Sequence, residues 1–352
     1  MVRIPVTLGQ KKCDILIGRD AWQQLDKYAE RYDRVVVITD RNVGRLYGGR
    51  IAFPKIVTEP GETSKSWASA EKVIQEMLAL GLTRSSAVIA LGGGVVGDLA
   101  GFCAAIYMRG IPYIQVPTTL LAQIDSAIGG KTAIDLPAGK NLVGAFHQPE
   151  VVLINPEVLQ TLSRADLVSG LGEVVKYAVM AAPELLDILR AGGEMIFTAP
   201  HESLSQIIVR CCTIKAEIVS ADEWDQGLRK QLNAGHTIGH ALETATSFRA
   251  FTHGEAVLFG LAAEARLSYR LGLLDRQQLA EIEGACQLIG LPVVPSDLSL
   301  AEVKQALLRD KKNRADRISF MLPRAMGQLE EVLLSIDEVE RHLEAVLYPG
   351  KV

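Results

Sequence analysis

Short apolar runs alternate with amphipathic segments through the first half of the chain. The runs predict buried strands at Arg34–Thr39, Lys55–Thr58, Ala87–Leu91, Ile111–Val116 and Val151–Ile154. Between them, apolar residues recur at helical spacing over Ala21–Tyr32, Lys65–Leu80 and Val95–Ala105. Short strands rich in β-branched residues that alternate with helices indicate βαβ units and a parallel sheet.

Beyond about Pro156 the pattern changes, and long segments with a helical period replace most of the strand-like runs. A serine followed three residues later by an acidic side chain is typical of a helix start. This spacing occurs at Ser163, Ser299 and Ser335. The second half is therefore predicted to consist mainly of helices.

Two further segments refine this picture of the second half. Val257–Leu271 is almost entirely apolar and predicts a buried helix, whereas Ile318–Leu322 is the one plausible late strand. We predict an α/β protein in which a Rossmann-like parallel-sheet domain, residues 1–156, precedes an all-α domain, residues 157–352. The active site is expected in the cleft between the two domains.

Composition narrows the classes of function. The chain has 37 Lys and Arg against 41 Asp and Glu, which argues against a dedicated nucleic-acid-binding protein. Its five cysteines are odd in number and show no C-x-x-C spacing, so a reducing, cytoplasmic location is expected. The first residues lack the apolar core of a signal peptide. Ser86–Tyr107 resembles a membrane span, but its triple glycine and Asp98 favour a strand, a turn and a helix, with no membrane partner.

A glycine-rich turn follows the predicted strand Ala87–Leu91. Glycines at positions 92, 94 and 97 match G-x-G-x-x-G, the spacing that lets a phosphate approach a helix N-terminus. Asp40 closes an earlier strand and could accept hydrogen bonds from a ribose. A dinucleotide could thus lie with its adenosine near Asp40 and its pyrophosphate near Gly93–Val95.

The motif departs from the usual dinucleotide pattern in two respects. It does not follow the first strand, and no acidic residue closes the next strand, which ends in QVPTT. A tight turn that serves only packing therefore stays open as an alternative.

Histidines and one carboxylate suggest a metal site. His236 and His240 are four residues apart and share a helix face, His253 follows in HGE, and Glu173 lies in a largely apolar segment beside glycines. Two histidines and a carboxylate with one open position form a catalytic zinc set. Spacing alone would choose His236 with His240 equally well, and hydrogen-bonded core histidines are the alternative.

Several cations stand in apolar or glycine-rich surroundings, unlike those of a solvated face. They are Arg109, Lys131, Lys140, Lys176, Lys215, Arg229 and the pair Lys311 and Lys312. Together with a metal they suggest a small anionic substrate that carries phosphate or carboxylate groups. For each cation taken alone, an ordinary exposed side chain is an equal alternative.

Motifs along essentially the whole chain resemble those of a known family. They are PGETSK (Pro60–Lys65), LGGGVVGDLAGF (Leu91–Phe102), YMRG (Tyr107–Gly110), QVPTTLLAQIDSAIGGKTAID (Gln115–Asp135), GKNLVGAFHQP (Gly139–Pro149), GEVVKYA (Gly172–Ala178), KAEIVSADE (Lys215–Glu223), GLRKQLNAGHTIGHALE (Gly227–Glu243), HGEAV and DKKN. In residues and order they resemble the 3-dehydroquinate synthase family of sugar-phosphate cyclases.

The resemblance implies conversion of 3-deoxy-D-arabino-heptulosonate 7-phosphate into 3-dehydroquinate and phosphate, a step of the shikimate pathway. It implies bound NAD that is oxidised and reduced within one turnover, and Zn²⁺ or Co²⁺ at the reacting hydroxyl. The implied steps are transient oxidation, phosphate elimination, reduction, ring opening and aldol closure. A homodimer is also implied, with Arg109 reaching the site of the neighbouring subunit.

Site residues carry over from the same resemblance. The implied metal ligands are Glu173, His236 and His253. The implied cofactor contacts are Asp40, Asn42, Glu62, Thr63, Ser64, Lys65, Gly93, Gly94, Val95, Asp98, Thr118, Thr119, Lys140, Val158, Leu159, Gln160 and Thr161. The implied substrate contacts are Arg109, Asp125, Lys131, Asn141, Lys176, Lys215, Arg229, Asn233, His240 and one of Lys311 or Lys312.

A catalytic group is expected to comprise His240, Lys131 and Asp125 together with Asp225, with His240 as the proton shuttle. Asp225 stands where the family usually has glutamate, and this shorter carboxylate could shift a proton relay. The alternatives are another sugar-phosphate cyclase, a metal-dependent glycerol-type dehydrogenase, and a binding protein that kept the fold.

Overall fold

The computed structural model describes residues 1–9, 11–197, 202–295, 298–308 and 317–349. The strands are β1 (Val2–Leu8), β2 (Lys11–Ile17), β3 (Val35–Asp40), β4 (Lys55–Thr58), β5 (Ala87–Gly92), β6 (Tyr113–Pro117), β7 (Lys131–Leu136), β8 (Gly139–Phe146), β9 (Val151–Ile154), β10 (Arg317–Ala325) and β11 (Gln328–Ser335). The α-helices are α1 (Leu25–Ala29), α2 (Arg41–Tyr47), α3 (Trp67–Ala79), α4 (Gly94–Ile106), α5 (Arg164–Met180), α6 (Leu185–Gly192), α7 (Glu202–Ala221), α8 (His236–Ala245), α9 (His253–Arg270), α10 (Arg276–Gln287), α11 (Leu300–Leu308) and α12 (Ile336–Leu347). Short 3-10 segments include Glu62–Ser64, Tyr107–Arg109, Pro156–Thr161 and Leu228–Asn233, and Ala122–Ser126 forms a π turn.

The first compact unit, Met1–Leu162 with Ala199–Asp225, is built on a seven-stranded sheet in the order β1-β2-β9-β6-β5-β3-β4. Every neighbouring pair from β2 to β4 is parallel, and only β1 pairs antiparallel at the edge. Strands β3, β5, β6 and β9 are buried along nearly their whole length, as expected when helices cover both faces. The predicted parallel sheet is thus confirmed.

The segment that resembles a membrane span contains β5, a glycine turn and α4. Helix α4 has only 13 residues, and eight of them are buried in the core of this unit. Among the described residues, every helix is too short or too polar to cross a membrane. All five cysteines are buried, and none of them forms a disulfide.

The second unit comprises Ser163–Thr198 and Gln226–Val352. Its core joins apolar faces of α8, α9, α11 and α12 to Ile318, Phe320 and Leu322 of β10. The prediction of an all-α domain was wrong, because β10 and β11 form an antiparallel hairpin. Strand β10 confirms the strand predicted at Ile318–Leu322 and buries one face on the helices, whereas β11 carries exposed glutamates and only a short apolar run at 332–334.

The unit boundary also differs from the predicted division at residue 156. Helix α7 belongs to the first unit, where the Thr7 N–H donates to the Ser220 hydroxyl at 3.0 Å and the Cys212 thiol donates to the Gln123 carbonyl at 3.3 Å. Helical periodicity shows that a segment is a helix but not which core it packs against.

The three predicted helix starts are confirmed. The hydroxyl groups of Ser163, Ser299 and Ser335 accept hydrogen bonds from backbone amides three residues later, at 3.1–3.3 Å. At Ser335 the reciprocal bond from Glu338 completes a capping box.

Candidate functional site

The carboxyl ends of three adjacent parallel strands bring the predicted nucleotide residues to one edge of the sheet. Asp40 ends β3, Gly93 follows β5, and Thr118 follows β6, in the strand order β3-β5-β6. Strand β4 is added on one side of β3 and strand β5 on the other, so the order of strands reverses at this point and creates a topological switch point. Such points are where open α/β sheets bind ligands.

The glycine turn presents backbone rather than side chains. Gly93 is the N-cap of α4 and provides no side-chain cap, so the first amides of this helix point outward without a local acceptor. A Cβ on Gly93 would lie 3.0 Å from the Thr119 side chain, and one on Gly94 would lie 2.9 Å from the Ser126 hydroxyl. Within the described residues the buried Thr118 hydroxyl has no hydrogen-bond partner. Open amides, absent side chains and an unpaired hydroxyl fit a dinucleotide phosphate.

Helix α2, which Asp40 caps, contacts the turn at Pro156–Thr161 through Tyr47, a residue that was not predicted. Asp40 Oδ1 caps α2 by accepting from the amides of Asn42 and Val43, at 2.8 and 2.9 Å. The Tyr47 hydroxyl donates to the Val158 carbonyl at 3.0 Å and lies 2.7 Å from Thr161 Oγ1. No motif in the sequence marks Tyr47.

An ion-pair network around the buried Lys65 gathers four more predicted cofactor residues. Lys65, only 4% exposed, donates to Asp98 Oδ2 at 2.6 Å, and Glu62 Oε1 lies 4.0 Å from Lys65 and 3.9 Å from Lys140. Burial raises the pKa of Asp98 despite the opposing effect of Lys65. Lys65 also donates to Asn141 Oδ1, so a predicted substrate residue joins the network. Thr63, Ser64, Leu159 and Gln160 lie in the two 3-10 segments already placed.

The remaining predicted residues of the first unit form two ion pairs. Lys215, 5% exposed, donates to both the side chain and the backbone carbonyl of Asp125 at 2.6 Å. Lys131 donates to Asp225, whose positive φ of 59° is one that aspartate tolerates in tight turns.

Arg109 is separated from these groups within its unit. It follows the last turn of α4 and is exposed, whereas the glycine turn precedes the first turn of that helix. A helix of 13 residues spans about 20 Å, so the structure does not bring Arg109 to the glycine turn of its own chain.

In the second unit, the predicted metal ligands come from three helices that approach closely at glycines. Glu173 lies on α5, His236 begins α8 and His253 begins α9. A Cβ on Gly254 would lie 1.7 Å from the Ser169 carbonyl oxygen, and one on Gly260 would lie 2.0 Å from the Gly235 carbonyl oxygen. Side chains at these crossings would push the helices, and with them the ligands, apart.

The two imidazoles are oriented by acceptors behind them. His236 Nδ1 lies 3.1 Å from the Ala234 carbonyl and His253 Nδ1 lies 3.3 Å from Glu243 Oε2. Because a carbonyl and a carboxylate only accept, both Nδ1 atoms carry the proton and each Nε2 is directed elsewhere.

That direction is towards Glu173. The Nε2 atoms of His236 and His253 lie 3.6 and 3.5 Å from Glu173 Oε1. Two ligands on one tetrahedral zinc ion, each about 2.1 Å from it, are about 3.4 Å apart. Each Nε2 atom therefore lies at the distance from Glu173 Oε1 that two ligands of one divalent cation would have.

His240 and Lys176 complete the cluster. His236, His240 and His253 offer ring nitrogens within 4.8 Å of one another, so a set of three histidines is geometrically possible as well. Lys176, 1% exposed, forms an ion pair with the fully buried Glu173. Burial lowers the pKa of His253, but hydrogen bonds to Glu173 and Glu243 outweigh it and raise that pKa to about 10. A cation that binds here would replace a proton.

Of the other predicted residues of the second unit, two are described by the structure and two are not. Arg229 is 3% exposed in the segment Leu228–Asn233, and the Asn233 side chain donates to the Lys230 carbonyl at 3.1 Å. Lys311 and Lys312 lie outside the described residues.

Glu243 contacts the candidate ligand His253 and was not predicted from the sequence, although a signal was present. It follows His236 by seven residues and His240 by three, which places all three polar groups on one face of an otherwise largely apolar helix. A carboxylate at that spacing is typical of a group that orients a metal-binding histidine.

Comparisons with known proteins show which family this chain resembles along its length. Family models described as 3-dehydroquinate synthase N-terminal and C-terminal match residues 55–169 and 170–313. A 3-dehydroquinate synthase of Alkaliphilus metalliredigens is 43% identical over 99% of this chain and 100% of its own. One from Caldanaerobacter subterraneus subsp. tengcongensis is 43% identical over 93% and 94%.

Solved structures show the same fold. A 2-epi-5-epi-valiolone synthase from Streptomyces hygroscopicus subsp. jinggangensis, with NAD⁺ and Zn²⁺ bound, is 28% identical and superimposes with a TM-score of 0.88 over 98% of this chain and 99% of its own. A probable glycerol dehydrogenase from Sinorhizobium meliloti is 17% identical with a TM-score of 0.68 over 95% and 96%, a likeness of fold alone. On the full-length identity and on both family models, the chain belongs to the 3-dehydroquinate synthase family.

Proposed function

We propose that this chain converts 3-deoxy-D-arabino-heptulosonate 7-phosphate into 3-dehydroquinate and phosphate, with NAD and a divalent metal ion as cofactors. The observation that carries the proposal is the convergence of two imidazole Nε2 atoms on one fully buried carboxylate, Glu173, beside the buried cation Lys176. The family's name and the match over both halves of the chain support the same activity.

In this proposal Glu173, His236 and His253 hold Zn²⁺ or Co²⁺, and the glycine turn with Asp40 holds NAD. When bound, the nicotinamide would accept and return a hydride, and the metal ion would lower the pKa of the hydroxyl that is oxidised. The chain supplies fixed geometry for both groups, because Lys176 neutralises Glu173 while the acceptors behind His236 and His253 fix their tautomers.

The cations of the site are proposed to bind the two anionic ends of the substrate. Arg229 and Lys215 are almost completely buried, which strengthens their attraction to a phosphate or a carboxylate that replaces water. Lys131, half exposed and paired with Asp225, can exchange that partner for substrate at little cost. His240, whose ring is stacked near His253 with centroids 5.8 Å apart, is the proposed proton shuttle.

The test measures phosphate release and absorbance at 340 nm together, with NAD at trace amount and with or without a metal chelator. We expect one phosphate per substrate, no lasting absorbance at 340 nm, and loss of turnover with chelator. Stoichiometric NADH without phosphate release would indicate a net dehydrogenase and refute the proposal.

Another sugar-phosphate cyclase is the second candidate, because the valiolone synthase shares the fold. It is less favoured, since relatives named 3-dehydroquinate synthase reach 43% identity against 28% for that cyclase. Turnover of only a substrate that lacks a carboxylate would decide in its favour. The cytoplasmic location and a homodimer in which Arg109 serves the neighbouring site stay predictions.

A further inference from the structure

Helix α8, which carries His236 and His240, begins without a cap of its own. Its N-cap is Gly235, which has a left-handed φ of 76° and no side chain that could accept from the first turn. A Cβ at this position would lie 2.6 Å from the Val257 carbonyl oxygen of α9. A residue with a capping side chain therefore cannot stand there, and the exposed amides need an acceptor from elsewhere.

Glu264 of α9 provides that acceptor. Its Oε2 accepts from the Gly235 amide at 2.6 Å, and its Oε1 accepts from the amides of Thr237 and Ile238 at 3.1 and 3.2 Å. The residue is fully buried. A buried carboxylate is costly unless it is compensated, and the helix N-terminus supplies both donors and a partial positive charge.

The same helix α9 begins with the other histidine. His253 and Glu264 are eleven residues apart, which is close to three full turns, so both lie on one face of α9 about 16 Å apart along its axis. Gly260 lies between them on that face and admits the α8 backbone. At the opposite end of the pair, Glu243 of α8 contacts His253. Two buried carboxylates thus fix α8 to α9 at both ends.

We propose that Glu264 is a positioning residue for the metal centre, acting through the backbone of residues 235–238 to set the distance between His236 Nε2 and His253 Nε2. The His236 ring is oriented by the Ala234 carbonyl, one residue before the amide that Glu264 holds at Gly235. A shift of the backbone at residues 235–238 would therefore move the His236 imidazole with it. This inference rests on the metal site proposed above.

The test compares Glu264→Gln with wild type in metal-free and metal-loaded full-length protein. The amide keeps the size but replaces one acceptor oxygen with a donor that faces a backbone N–H. We expect about a tenfold loss of zinc affinity, measured by chelator competition, and an altered Co²⁺ absorption spectrum.

The matched control is Glu338→Gln. Glu338 caps α12, which carries no predicted ligand, by accepting from the Ser335 amide at 2.7 Å. It should lower thermal stability without changing zinc affinity or the Co²⁺ spectrum. Wild-type zinc affinity and spectrum in folded Glu264→Gln would overturn the inference, whereas wild-type protein that binds no zinc would overturn the metal site itself.

A measurement on wild type decides the matter if the variant does not fold. Amide hydrogen exchange of Gly235, Thr237 and Ile238 in metal-free protein should be slow, because Glu264 and not the metal holds these groups. Exchange as fast as that of an uncapped first helical turn in metal-free protein would overturn the inference.

Discussion

The glycine turn after β5 and the metal-ligand cluster on α5, α8 and α9 are built by opposite means. The turn works through missing side chains, since its amides and close approaches are backbone features. The cluster works through side chains that converge, with Glu173 buried among His236, His253 and Lys176. Yet the cluster also depends on glycines, at the helix crossings that bring its ligands together.

A substitution of glycine therefore has different energetic consequences in the two regions. At the turn, an added methyl group faces solvent or ligand and the movable ends of side chains. At the crossings, it faces the backbone of another helix, which cannot move without the core. A substitution at the turn should therefore weaken NAD binding more than it destabilises the fold. A substitution at the crossings should impair both folding and zinc binding.

The largest effect is expected from Gly254→Ala, at the crossing of α5 and α9. The new Cβ would lie 1.7 Å from the Ser169 carbonyl oxygen, so the two helices must separate. We expect the free energy of unfolding to fall by about 3 kcal/mol and bound zinc to be lost, as measured by denaturant titration and metal analysis.

Gly284→Ala is the matched control for that change. Gly284 lies inside α10, where a Cβ would meet no atom within 4 Å. Alanine should there raise the free energy of unfolding by about 0.5–1 kcal/mol and leave zinc content unchanged. If Gly254→Ala were as stable as wild type and kept its zinc, the role given to the helix crossings would be wrong.

The second prediction separates the two possible ligand sets of the cluster. Glu173→Gln keeps the side-chain volume but removes the charge towards which both Nε2 atoms are directed. We expect zinc affinity to fall by about 100-fold or more, whereas His240→Ala should keep its zinc and lose turnover. The reverse result in metal analysis would show that His236, His240 and His253 form the ligand set.

The sequence predicted the turn better than the cluster, and the reason is physical. A strand, a glycine turn and a helix are local features, so the residues of β5 and Gly93 indicate their own arrangement. The proposed metal ligands come from three separate helices, and spacing within one helix cannot show which distant carboxylate joins its histidine. From the residues alone Glu173 was a candidate ligand with alternatives left open, and only the family resemblance selected it together with His236 and His253.

The errors in the predicted fold also concern contacts between segments that are distant in the sequence. Strand β10 was expected at Ile318–Leu322, whereas its partner β11 was missed because Glu330 and Glu331 interrupt its apolar residues. Glu264 was open to prediction, since a lone carboxylate in an apolar helix needs partners. Its three amide donors, however, belong to a segment that begins 29 residues earlier.

A smaller effect is expected at the turn itself, from Gly94→Ala. The new Cβ would lie 2.9 Å from the Ser126 hydroxyl, the end of a side chain that can rotate away, and alanine favours the first turn of α4. The free energy of unfolding should stay within about 1 kcal/mol of wild type. NAD affinity should fall about tenfold, or about 1.4 kcal/mol, because the methyl group blocks the approach of a phosphate.

The control for that change is Gly49→Ala, at a position where a Cβ meets no atom within 4 Å. Calorimetric titration with NAD should give the wild-type affinity there, and zinc content should be normal in both variants. Gly94→Ala that bound NAD as wild type does would leave the turn as a packing feature only.

The smallest effect is expected at the Thr118 hydroxyl, where one substitution should change the stability of the fold and the affinity for NAD in opposite directions. Thr118 is 4% exposed, and within the described residues its Oγ1 has no hydrogen-bond partner. Thr118→Val removes an unpaired buried polar group, so the free energy of unfolding should rise by about 1 kcal/mol. If that hydroxyl binds NAD, the affinity for NAD should fall about fivefold, close to 1 kcal/mol.

Thr132→Val is the matched control. The Thr132 hydroxyl donates to the Ala145 carbonyl at 2.9 Å, so the same substitution should destabilise the fold and leave the affinity for NAD unchanged. A stabilised Thr118→Val with unchanged NAD affinity would remove this hydroxyl from the binding site, because opposite signs in folding and binding are what a group reserved for a ligand must show.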